Sequence, residues 1–155
     1  MTRSTVTHDT FVIERTYDFP AATVFRAWAD PKRKARWFAG SADVLGNGYE
    51  LDFRVGGREV SCGGPPGGPV YTYSAEFRDI VADQRIVSTT EMLADQTRIS
   101  VTVATVEFHD SGCGTQLVLT EQGAFLDGHE TAAQREEGTR SLLESLAASL
   151  AEQDN

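Results

Sequence analysis

The chain has 155 residues, 40% of them hydrophobic, and a formal net charge of −9. That size and composition suit one folded domain with a substantial core and argue against disorder, while the acidic balance argues against general nucleic-acid binding, which needs clustered Lys and Arg. No apolar run is long enough to span a bilayer, and Met1 to His8 lack the apolar stretch of a signal peptide, so a cytoplasmic protein is expected.

Phe11, Ile13, Arg15 and Tyr17 alternate with Val12, Glu14 and Thr16, the period of a half-buried strand. Pro20 then suits the start of a helix, because the first helical turn has no use for its missing N–H. Val24, Ala27 and Trp28 form one apolar stripe on that helix. Asp30-Pro31 repeats the start signal and opens a second short, basic helix (Lys32, Arg33, Lys34, Arg36) that closes on Trp37-Phe38. The charges of this helix read as a solvated face.

Strand patterns follow. Tyr49, Leu51, Phe53 and Val55 alternate with polar residues until Gly56-Gly57 turns the chain, and Arg58 to Cys62 is the next short strand. Gly63 to Pro69 is a loop by composition. Tyr71, Tyr73, Ala75 and Phe77 give another alternation, interrupted from Asp79 to Gln84. Ile86, Ser88, Thr90 and Met92 share a face of the strand after it. Arg98 to Phe108 is β-branched and extended, Asp110 to Gly114 forms a hairpin, and Thr115 to Glu121 returns. No crossover helix separates these strands, so the sheet is antiparallel. The period then changes. Asp127 to Glu130 has capping-box spacing, and Thr139, Leu142, Leu143, Leu146 and Leu150 recur as on a helix running from about Gly128 to Ala151. Its stripe needs a partner, and the concave face of the sheet supplies one. The expected fold class is α+β, a helix-grip arrangement. A curved antiparallel sheet of about six or seven strands holds a long C-terminal helix, with two short helices after the first strand. One domain covers residues 1–155, its ordered core running from about 9 to 152.

This order resembles the START-like helix-grip superfamily, also called polyketide-cyclase/dehydrase-like or SRPBCC. Three segments carry the resemblance: Phe19-Pro-Ala-Ala-Thr-Val-Phe-Arg-Ala-Trp-Ala-Asp-Pro31 followed by Trp37, Asp52-Phe-Arg-Val-Gly-Gly57, and Gly112-Cys-Gly-Thr-Gln-Leu117. They are similar to the branch of the heat-shock protein 90 ATPase activator homologues and the calicheamicin resistance protein. The resemblance implies a hydrophobic ligand cavity between sheet and helix. It also implies a departure: the final helix of that branch commonly carries Gly-Trp near its start, where this chain has Gly138-Thr139. Threonine there widens the pocket and removes a stacking surface.

The aromatic residues Trp28, Trp37, Phe38, Phe53, Tyr71, Tyr73 and Phe77 are candidates for the cavity lining, with Thr139 and Leu143 from the helix. Ordinary core packing is the alternative for each. Asp52 and Arg54, two apart on a strand, form a solvated pair on the cost of burying charge, with a polar anchor inside the cavity as the alternative, and Arg98 and Glu107 are read the same way. Catalytic constellations are weak: His8, His109 and His129 are dispersed, and no metal-ligand spacing occurs. Cys62 and Cys113 read as reduced thiols. The expected function is binding of a small hydrophobic molecule (lipid, aromatic or polyketide-like) without cofactor or metal. One alternative is a cyclase-, dehydratase- or hydrolase-like enzyme in the same cavity. The other is a stress-related interaction protein like the chaperone-ATPase activator, its basic Lys32–Arg36 helix meeting an acidic partner. Exposed strand edges leave room for a homodimer.

Overall fold

A computed structural model of the chain describes residues 3–38 and 48–153. The part of the expected 9–152 core at positions 39–47 lies outside those residues. The elements are β1 (Val6–Tyr17), α1 (Ala21–Ala29), α2 (Pro31–Phe38), β2 (Tyr49–Leu51), β3 (Arg58–Gly63), β4 (Tyr71–Val81), β5 (Arg85–Ala94), β6 (Thr97–Ser111), β7 (Gly114–Leu126) and α3 (Ala132–Gln153). Seven strands form one curved antiparallel sheet in the order β1-β7-β6-β5-β4-β3-β2. The α+β helix-grip expectation holds, with seven strands.

The period-2 pattern explains the sheet. Along β1, Phe11, Ile13 and Tyr17 are buried while Val12, Glu14 and Thr16 face outward. The interruption after Phe77 is a bulge: pairing to β5 shifts between Phe77 and Asp79, and β4 continues to Val81. Gly123 lets β7 press against β6, since a Cβ there would sit 2.2 Å from the Val101 carbonyl oxygen.

Pro20 is the N-cap of α1 rather than its first residue, and its carbonyl accepts the Thr23 and Val24 amides. Asp30 caps α2, its Oδ1 accepting from the amides of Lys32 (2.9 Å) and Arg33 (3.2 Å).

Helix α3 starts four residues later than the sequence suggests. Asp127 and Gly128 both have positive φ (55° and 70°), which no helical first turn tolerates. The capping box is instead Thr131 with Gln134: the Gln134 amide donates to Thr131 Oγ1, and the Thr131 amide donates to Gln134 Oε1. The buried stripe of α3 includes Leu143, Leu146 and Leu150, and these join Phe11, Ile13, Trp28, Phe108 and Leu117 in one core. Tyr17 on β1 pins the helix to the sheet through a hydrogen bond from its hydroxyl to the Leu143 carbonyl, 3.1 Å.

Candidate functional site

The concave face of the sheet does not close fully on α3. Between them lies a cavity of about 410 Å³, within the range of small-molecule sites. Inward positions of β4 and β5 (Tyr73, Phe77, Ile86, Ser88) and of β6 and β7 (Val106, Leu119, Glu121) form one wall. The other wall is a face of α3, where Arg135, Thr139, Leu142 and Leu143 follow one another at helical spacing. Trp28 from α1 with Lys34, Trp37 and Phe38 from α2 close one end.

All nine residues expected to line a cavity meet there: Trp28, Trp37, Phe38, Phe53, Tyr71, Tyr73, Phe77, Thr139 and Leu143. Their rings pack edge-on. Trp28 and Trp37 centroids lie 4.7 Å apart, Phe38 and Tyr73 5.3 Å, and Phe53 and Phe77 5.1 Å. Tyr71 is 40% exposed, near the ends of β3 and β4 where Cys62, Gly63 and Gly64 also border the cavity. Thr139 is back-bonded, its Oγ1 donating to the Arg135 carbonyl at 2.9 Å.

The candidate polar anchors lie elsewhere. Strand β2 ends at Leu51, and the Asp52 amide already bonds the Arg58 carbonyl across a turn. Asp52 and Arg54 therefore form an outward ion pair of 2.9 Å, with side chains 55% and 68% exposed. Val55, expected on the same face as Phe53, is exposed for the same reason. Arg98 also points outward, paired with Glu91 at 2.9 Å, while its neighbour Ile99 is buried. Glu107 is on the surface near His109 Nε2, 3.3 Å away. Among the described residues, no three His, Cys, Asp or Glu side chains gather as a metal site.

The charged groups that do reach the cavity are four that the sequence reading did not select: Lys34, Glu59, Glu121 and Arg135. Lys34 corrects the view of α2 as a solvated basic face. It is 3% exposed, and its Nζ donates to both oxygens of Glu59, at 3.1 and 2.8 Å. The ammonium also sits over the rings of Trp28 (4.9 Å), Trp37 (5.4 Å) and Phe38 (4.2 Å). Tyr49 donates to Glu59 Oε2 at 2.6 Å. This pair is closed on itself.

The second cluster joins α3 to the sheet. Arg135 Nη1 donates to Glu121 Oε1 (2.9 Å) and Nη2 to Ser100 Oγ (2.6 Å), while Nε and Nη2 also hold Glu130. One guanidinium thus serves two carboxylates. Burial raises the Glu121 carboxyl above its ordinary 4.5, Arg135 partly opposes this, and Glu130 adds to it. The Tyr73 hydroxyl is held protonated, raised well above 10 by burial and then by Glu59 and Glu121.

A pH dependence follows from Glu121. A carboxyl raised in the folded state is protonated more readily there than in the unfolded chain. Its contribution is therefore complete below about pH 4.5 and lost as pH rises through the folded value. The stability of wild type minus that of Glu121→Gln, from urea denaturation between about pH 4 and about pH 8, is expected to fall over that window and then level. A difference that does not change with pH would show that Glu121 binds its proton as an unfolded chain does.

The profile of the "Activator of Hsp90 ATPase homolog 1-like protein" family matches residues 18–151. The crystal structure of the Mll3558 protein of Rhizobium loti is 48% identical, with a TM-score of 0.88 over 94% of this chain and 99% of that one. A Rhizobium leguminosarum protein is 40% identical, with a TM-score of 0.92 over 97% and 99% of the two chains. An Aeromonas hydrophila protein of the same homolog 1-like description shares the fold at 23% identity and a TM-score of 0.70, covering 94% of each chain. No curated protein matches the chain significantly.

Proposed function

The chain belongs to the Activator of Hsp90 ATPase homolog 1-like family, and from that premise we propose that it is a small binding protein for a mainly hydrophobic molecule. The molecule occupies the space between the sheet and α3. The observation that carries this reading is the cavity of about 410 Å³ with a mostly aromatic and aliphatic lining and few polar groups. A packed interior leaves few voids larger than a water molecule, so a space of this size beside a tight core is a feature to explain. The affinity comes from apolar area removed from water.

The test uses Thr139, which lines the cavity wall on α3. Thr139→Trp fills the space with an indole and is expected to weaken an apolar ligand by about tenfold or more while the protein stays folded. A panel of lipids, aromatic compounds and polyketide-like compounds is screened by thermal shift, and hits are confirmed through Trp28 and Trp37 fluorescence. If no compound in the panel raises the melting temperature of the wild type, the binding reading is lost.

Catalysis in the same cavity is a second reading, favoured by Glu121, a carboxylate at the cavity wall with one oxygen not engaged by Arg135. Turnover of a bound compound, lost in Glu121→Gln with binding retained, is its signature. The interaction-protein reading is weaker, because Lys34 is withdrawn from the basic surface that motivated it.

A further inference from the structure

The polar groups of the cavity differ in what they leave unspent. At the α2 end, Lys34 is bonded to both oxygens of Glu59, Tyr49 bonds the second of them, and three rings surround the ammonium. Both carboxylate oxygens there have a donor, and the ammonium's third N–H lies among the rings. At the α3 end the accounting is open. Arg135 spends four of its five N–H groups on Glu121, Ser100 and Glu130, which leaves one on Nη1. Glu121 accepts on Oε1, and its Oε2 has no partner among the described residues. The Tyr73 hydroxyl has none either. Neither atom is sealed from solvent as the indole N–H of Trp28 is, and both residues line the cavity. Glu121 is among the groups that raise the Tyr73 hydroxyl, after burial and Glu59. A donor and an acceptor on the cavity lining thus have no hydrogen-bond partner among the described residues.

We propose that this end of the cavity selects a neutral ligand head carrying both a hydrogen-bond acceptor, such as a carbonyl, and a donor, such as a hydroxyl. Tyr73 donates to the carbonyl and Glu121 Oε2 accepts from the hydroxyl, while the apolar body of the ligand lies against Phe38, Phe77 and Leu143. The proposal rests on the binding reading above and adds the chemistry of the head. It also excludes a class. Glu121 and Glu130 share one guanidinium, so this end carries an excess of negative charge and repels an anionic head such as a carboxylate.

Four probes built on one naphthalene ring test it by calorimetry: acetylnaphthalene, naphthol, a hydroxyacetylnaphthalene whose two groups are not adjacent, and naphthoate. On the wild type, hydroxyacetylnaphthalene is expected to bind about tenfold or more tightly than either single-group probe, and naphthoate is expected to bind weakest. Tyr73→Phe keeps the ring and should cost the two acetyl probes about tenfold while leaving naphthol unchanged. Glu121→Gln must keep its amide oxygen for Arg135 and so turns an N–H toward the cavity. Naphthol then loses affinity, and acetylnaphthalene and naphthoate gain it. Equal affinities for all four probes on the wild type would overturn the head-group assignment and leave the binding reading standing. Absence of binding by all four, with no hit in the wider panel, overturns both.

Discussion

Glu59→Ala lowers the unfolding free energy by about 3–5 kcal/mol, because it leaves the Lys34 ammonium buried without its counter-ion. Lys34 and Glu59 side chains are 4% and 2% exposed, so neither can turn to water without opening the end of the cavity. The substitution also strips Tyr49 of its acceptor. The three aromatic rings around Nζ soften the loss but cannot replace a carboxylate that accepts two of the ammonium's hydrogens. For a domain of this length the change corresponds to a melting temperature lower by roughly 6–20 °C. The control is the double variant Lys34→Met with Glu59→Leu. Removing both charges abolishes the desolvation penalty along with the attraction, so the double variant is expected at or above wild-type stability. Urea denaturation of the wild type, Lys34→Met, Glu59→Leu and the double variant measures the coupling. If the two single substitutions simply add in the double variant, the charges do not depend on each other, and the burial argument fails.

The same pair shows where sequence reasoning ran short. Alternation and helical spacing located the strands, the two early helices and α3, because a one-residue slip in either pattern would turn apolar side chains into water. The aromatic candidates for the lining rest on their size and on the cavity that the family resemblance implies, since alternation alone does not tell a cavity wall from plain core. The four cavity charges were not legible, although their positions carried a signal. Glu121 continues the inward set of Thr115, Leu117 and Leu119 along β7. Arg135 stands one helical turn before Thr139 on the stripe that runs to Leu150. Lys34 lies three residues before Trp37 on the buried side of α2. Lys34 reads as part of a solvated basic face, and Glu121 and Arg135 are not singled out, because a charge is placed inside a fold only when a partner for it is in view. The partners came from other elements: Glu59 from β3 for Lys34, and Glu121 and Ser100 from the sheet for Arg135. Pairing across the fold is invisible to a reading that compares neighbours in sequence. Asp52 and Arg54 form the solvated pair that the cost of buried charge favours over an anchor, since a spacing of two implies a shared cavity face only on a strand, and β2 stops at Leu51.

Leu146→Ala is expected to cost about 3–5 kcal/mol, more than the about 2–3 kcal/mol expected for Leu143→Ala, although both side chains are fully buried. Leu146 is packed on all sides within the core between α3 and the sheet, so its truncation opens a new hole with intact walls. Leu143 already borders the cavity, and on that side its atoms have no partners to lose. Truncating it enlarges an existing space. The two variants should therefore separate stability from ligand preference. Leu143→Ala is expected to shift binding toward a bulkier body, anthracene-sized over naphthalene-sized, whereas Leu146→Ala leaves the size preference unchanged. Urea denaturation gives the first comparison and calorimetry with the two ring sizes the second. Equal stability losses with no change in size preference would mean that the space beside Leu143 is not a binding cavity. The unequal result would tie the size of the ligand body to α3, with Tyr73 and Glu121 left to choose its head.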